Sequence, residues 1–194
     1  MKTISLLITI TICAACSDTG KKYPEYDAGT SPETKQDTSK IPGPETRTDA
    51  VIYAEAMLSG HTKPEENNET YAWLDSLQAT DPVNRQLAYR VTELIINKGQ
   101  GFLAESAGGH VKSYFQVYPK DFLANYQAAN AVMQKKLIEN CAYEFYASGT
   151  DYAVDIDNYF KDIAKACREC TTGDESLIAG IRMKITNMVK AANE

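Results

Sequence analysis

Apolar residues recur at helical spacing through the C-terminal three quarters of the chain and are almost absent from the thirty residues before it. Asp81-Pro82 reads as an N-cap followed by a first-turn proline, and Val83, Leu87, Val91, Leu94 and Ile95 then line one helical face. Lys98 falls in the last turn of that helix and Gly99 just past it, a combination that stops a helix. Pro119-Lys120-Asp121 opens the longest predicted helix, running to about Ala147. Its stripe is Phe122, Tyr126, Ala129, Met133, Leu137 and Cys141, widened by Leu123, Ile138 and Phe145. After the connection Ser148-Gly149-Thr150, Asp151 caps a helix whose apolar face carries Tyr152, Ile156, Tyr159, Phe160, Ile163 and Cys167. Thr171-Thr172-Gly173 reads as a break. The last helix runs from Asp174 or Glu175 to about Ala192, with Leu177, Ile181, Ile185, Met188 and Ala192 facing inward.

Weaker signals precede these. Asp49 caps a short helix over Ala50 to about Ser59, ended by Gly60, and a second runs from Glu69 to about Gln78 with Tyr71, Leu74 and Leu77 on one side. The stretch GQGFLAESAGGHVKSYFQVYP is ambiguous: Val111, Tyr114, Phe115 and Tyr118 fit a short helix or a single strand. Helix is preferred because no partner strand is visible elsewhere, and Gly108-Gly109 reads as a turn or hinge. The expected architecture over residues 48–194 is therefore all-α. It is an antiparallel helical bundle of about four long helices with short capping helices, and it has no internal repeat.

Residues 17–47 are rich in Ser, Thr, Pro, Gly and mixed charge, with Ile41 nearly alone as an aliphatic residue. Such a segment buries too little apolar surface to offset its ordering entropy and reads as a disordered tether. Thirty residues of flexible chain reach roughly 30 Å.

The first residues narrow the setting. Met1-Lys2-Thr3 carries one positive charge, Ile4–Ile12 is an uninterrupted apolar run, and Ala14-Ala15 precede Cys16. The run is as long as a signal-peptide core and about half of what a membrane span needs. This stretch resembles the signal of bacterial lipoproteins, in which the chain is cut before a cysteine that receives acyl chains. The family's usual aliphatic residue three positions before that cysteine is replaced here by Cys13. The resemblance, confined to the first twenty residues, implies a signal peptide over 1–15 and lipidation at Cys16. The protein would then be anchored to a membrane without spanning it. Ser17, where inner-membrane retention uses Asp, points to the outer membrane; Ser17-Asp18 also resembles the polar start of surface lipoproteins of the Bacteroidota. On this reading Cys13-Ala-Ala-Cys16 is a processing site rather than a redox or metal pair.

Charge and chemistry add little. A net charge of −6, with no basic cluster interleaved with aromatics, argues against nucleic-acid partners. Cys141, Cys167 and Cys170 remain after processing. In Cys167-Arg-Glu-Cys170 the i, i+3 spacing allows a disulfide, and two buried thiols are the competing reading. A helix C-terminus there opposes a redox-active thiolate. Asp151, Asp155, Asp157 and Asp162 lack calcium-loop spacing and read as a cap and a solvated face. Zinc ligation by Cys167, Cys170 and His61 or His110 has no supporting spacing, so neither a metal nor another cofactor is expected. His110, near Glu105, Ser106 and Ser113, forms no catalytic signature, and no enzyme is expected. His110, Tyr114, Phe115, Tyr118 and Phe122 concentrate near the glycine pair and form the candidate partner-binding surface, set against a plain cap on the bundle's end. The expected role is an interaction module for another envelope protein. The alternatives are an immunity or inhibitor lipoprotein that neutralises a toxin in the periplasm and, less favoured, an envelope enzyme.

Overall fold

The computed structural model describes residues 48–148 and 151–194, and the signal segment, Cys16 and the tether lie outside them. Among the described residues there are eight α-helices and no strand, so the domain is all-α. They are α1 (Asp49–Leu58), α2 (Asn68–Asp75), α3 (Pro82–Lys98), α4 (Gly101–Val117), α5 (Pro119–Ala128), α6 (Ala131–Tyr146), α7 (Tyr152–Ala166) and α8 (Thr172–Asn193). A short 3-10 turn, Ser76–Gln78, extends α2.

Local chemistry accounts for most boundaries. Asp81 accepts from the Val83 and Asn84 N–H groups at the start of α3, and Pro82 needs no donor there. Asp151 does the same for Ala153 and Val154 at α7. Thr171 caps α8 in a reciprocal box with Asp174, so the predicted break at Thr171-Thr172-Gly173 is instead the cap and first turn of the last helix.

Two predicted elements differ. The single helix expected from Pro119 to about Ala147 is two helices, parted at Ala129-Asn130, where both residues are extended. Asn130 turns the chain back into helix by accepting from Met133 N–H, and the Gln134 amide donates to the Tyr126 and Ala129 carbonyls. The ambiguous stretch is a full 17-residue helix, α4, with Gly108-Gly109 in its interior rather than at a hinge.

That helix is the hub of the domain, packing most extensively on α6 and also on α3, α5 and α7. Gly108 explains the closeness of α4 and α6. A Cβ at Gly108 would stand 2.7 Å from Glu144 Oε1 and 3.1 Å from the Asn140 carbonyl. Leu103, Val111, Tyr114 and Phe115 of α4 meet Leu137, Ile138, Cys141 and Phe145 of α6 and the aromatic face of α7 in one core. Phe115 stacks on Phe122 at 4.1 Å and meets Tyr159 and Phe160 edge-on. Val83 and Ala192, expected to face inward, are exposed, whereas Ala88, Tyr89 and Thr92 are the buried neighbours of Val91 and Ile95. At the N-terminal edge, the Trp73 indole N–H donates to the Ala50 carbonyl at 3.2 Å and ties α2 to α1.

Candidate functional site

The aromatic residues expected to form a recognition surface do not form one. Tyr114, Phe115 and Phe122 are at most 1 % exposed, and Tyr118 is half-buried. Tyr114 receives the Asn125 amide on its hydroxyl, and Tyr118 lies beneath the Arg85 guanidinium, 3.9 Å away. Burial on several sides of α4 leaves no exposed aromatic stripe, so substituting these rings tests packing rather than recognition. Losing the Phe115 ring would cost about 3–5 kcal/mol of stability.

His110 is the member that approaches the surface. Its Nδ1 lies 3.6 Å from Asp75 Oδ1, linking α4 to α2. Beside it, Glu144 covers the glycine pair, and the Lys112 ammonium sits 4.0 Å over the Phe145 ring. Partial burial raises the Glu144 carboxyl above its ordinary range, against the smaller opposing pull of Lys112 and His110. Under this polar layer lies Cys141, fully buried, its thiol pushed up to about 12 by desolvation. It therefore stays protonated and unreactive at neutral pH. Ser106 donates to its own helix at the Leu103 carbonyl, so it is not aimed at His110.

The acidic series on α7 is used locally. Asp151 is the helix cap, Asp157 pairs with Arg182 and Lys161, and Asp162 pairs with Lys165 and accepts from Gln116. Among the described residues no group of three or more His, Cys, Asp or Glu side chains is placed to hold a metal. Cys167 and Cys170 are joined as a disulfide with Cα atoms 5.3 Å apart, and both are half-buried. Cys167, expected on the apolar face of α7, is the C-cap of that helix and lines a small cavity together with Phe160 of that face.

Two surface clefts lie elsewhere. One cleft of about 760 Å³ runs between the α1–α2 connection and the α3–α4 junction, and a shallower one of about 900 Å³ lies between α3 and the α5–α6 junction. They adjoin at Leu94, which lines both. Met57, Leu58, Leu94, Leu103 and Met133 supply apolar walls, and Lys63, Arg90 and Lys98 are exposed cations along the rim. Lys63 and Lys98 have no carboxylate within ion-pair distance among the described residues, while Arg90 lies near Glu93. Glu66 closes one end: its carboxylate accepts from Leu103 N–H at 3.3 Å, in the first turn of α4, where Gln100 makes no side-chain cap. Gly101 permits that approach with φ +55°, a left-handed conformation that favours glycine.

Sequence reasoning placed Leu94, Ala129 and Met133 on apolar helix faces and Lys98 at a helix stop, and did not bring these cleft residues together. The groove combines segments near residues 57–66, 90–103 and 128–133, and no local pattern links them. No family model, curated protein or solved structure matches the chain.

Proposed function

We propose that the chain is a lipid-anchored protein of the bacterial outer membrane whose helical domain binds a segment of another envelope protein. The lipoprotein-like residues up to Cys16 and the solvated composition of residues 17–47 support the anchor and its spacer. The observation that carries the binding role is the pair of adjoining clefts, with apolar walls and the exposed cations Lys63 and Lys98, which form no ion pair among the described residues. A partner segment with apolar side chains for the clefts and charged ones for the rim suits such a groove, whose rim carries Glu65 and Glu93 beside Lys63, Arg90 and Lys98.

The test is crosslinking of the tagged protein in cells, followed by mass spectrometry, with a Cys16→Ala control and a Lys63→Glu/Lys98→Glu variant. One near-stoichiometric protein partner that is lost in the double variant supports the reading. Absence of any protein crosslinked above the Cys16→Ala control overturns it, and a partner retained by the double variant removes the groove from it.

A further inference from the structure

The junction between α5 and α6 is a helix break without a helix breaker. No glycine or proline occurs from 120 to 147, and the junction itself reads Ala128-Ala129-Asn130-Ala131, rich in the residue that favours helix most. The apolar stripe Phe122, Tyr126, Ala129, Met133, Leu137 and Cys141 crosses it at unbroken helical spacing. The backbone stands two rotations from continuity. Ala129 has φ −70° and ψ 148°, and Asn130 has φ −68° and ψ 164°. Both φ angles already hold helical values, so turning the two ψ angles to about −42° joins α5 and α6 into one helix.

Side chains hold the break. Asn130 Oδ1 accepts from Met133 N–H at 3.0 Å, and the Gln134 amide donates to the Tyr126 and Ala129 carbonyls at 2.9 and 3.1 Å. These bonds replace part of what the missing helical turn would supply. Asn130, Ala131 and Val132 are exposed, so they lose no packing when the junction turns. On the C-terminal side of the junction, α6, α7 and α8 contact one another, and this unit closes on α4 through α6 and α7 and on α5 through α8. A straight junction would carry the unit away from its own α4 and leave both apolar faces open. The surface that fits each open face is the other face, supplied by a second copy of the chain.

We propose that Ala129-Asn130 is the hinge of a domain-swapped dimer, in which α5 and α6 form one helix and the α6–α8 unit of each copy packs on α4 and α5 of the other. The exchange remakes the same core contacts between copies, so the hinge and the protein concentration set the balance between the two forms. Ala128 to Met133 also line the cleft beside α3, and straightening therefore changes one wall of that cleft. The inference concerns the chain's own hinge and holds whatever the groove binds.

Full-length wild type, Asn130→Ala and Ala131→Pro are unfolded, refolded at a series of concentrations and sized by chromatography with light scattering. Asn130→Ala removes the cap and adds helix propensity, about tenfold per hinge, and is expected to tighten dimerisation about a hundredfold. Ala131→Pro suits the first position of α6 but interrupts a continuous helix, so this variant is expected to stay monomeric. Circular dichroism checks that it keeps the fold. To identify the exchange, heavy-isotope and unlabelled Asn130→Ala chains are refolded together, and Lys120 of α5 is coupled by a carbodiimide to Asp174 of α8, 3.9 Å away. Linked peptides of mixed isotope are expected in the dimer fraction. A dimer that persists in Ala131→Pro, a dimer that lacks mixed-isotope links, or an Asn130→Ala variant that associates no more than wild type overturns the proposal.

Discussion

Arg85 and Asp121 join the start of α3 to the start of α5 through one carboxylate oxygen, which accepts from Nε at 2.7 Å and from Nη2 at 2.5 Å. The partners are unequal in their surroundings, the Arg85 side chain being 8 % exposed and that of Asp121 43 %. The same guanidinium donates to the Ala79 and Thr80 carbonyls. Removing the carboxylate strands a buried cation, whereas removing the cation leaves a carboxylate that water can reach. Asp121→Ala is expected to cost about 2 kcal/mol of unfolding free energy. Arg85→Met is expected to cost less, since it refills the space without a charge. Denaturant unfolding of both variants measures the difference, and equal losses would show that the pair acts symmetrically.

The two glycines inside α4 have opposite expected responses to alanine. At Gly109 the nearest atom to an added Cβ is 3.6 Å away, an ordinary contact, so alanine adds helix propensity and stabilises by up to about 1 kcal/mol. At Gly108 the added atom meets Glu144 Oε1 and the Asn140 carbonyl, and α6 must give way. Gly108→Ala is expected to destabilise by about 1–2 kcal/mol. Thermal melts of the two variants check the sign, which is the informative part.

Stability is expected to carry a pH signature from Glu144. Folding raises the pKa of this carboxyl, so the folded state holds its proton more tightly than the unfolded chain does. The contribution is fully present below the ordinary glutamate value of about 4.3 and is lost as pH rises through the folded value. Glu144→Gln keeps the neutral form at every pH. The variant is expected to melt with wild type near pH 4 and above it at pH 7. A constant difference across that range would assign the effect to something other than ionisation.

Cys141 offers a kinetic check on packing. Its burial and raised thiol predict no alkylation in the native protein at neutral pH and full alkylation once denaturant opens the core. Labelling followed by peptide mapping reads this directly. Modification of Cys141 without denaturant would mean that α4 and α6 separate on the timescale of the reaction.

How far the chain announces this fold depends on how one-sided each helix is. The bounds of α3 are legible because Asp81, Pro82, Lys98 and Gly99 are punctuation whose chemistry is local. The buried face of α7 is equally plain, since Ile156, Tyr159, Phe160 and Ile163 repeat at helical spacing above a charged back. The central helix is the opposite case. Leu103, Ala107, Gly108, Val111, Tyr114 and Phe115 are buried against several neighbours, and Gly108, half of the pair that imitates a turn, serves the approach of α6. The division of the long predicted helix rests on Asn130, whose capping role emerges from the extended backbone around it rather than from the apolar stripe. Of the candidate site, the sequence revealed the disulfide-competent spacing but neither the groove nor the depth of the aromatics. Both depend on which distant segments meet.

The hydrogen bond from Trp73 to Ala50 gives the domain an optical reporter with a known address. The chain has a single tryptophan, so its intrinsic fluorescence senses the seam between α1 and α2, whereas far-ultraviolet circular dichroism sums over every helix. Coincident melts by the two signals would show that this N-terminal edge unfolds with the core as one cooperative unit. An earlier fluorescence transition would reveal that this α1–α2 edge loosens before the core.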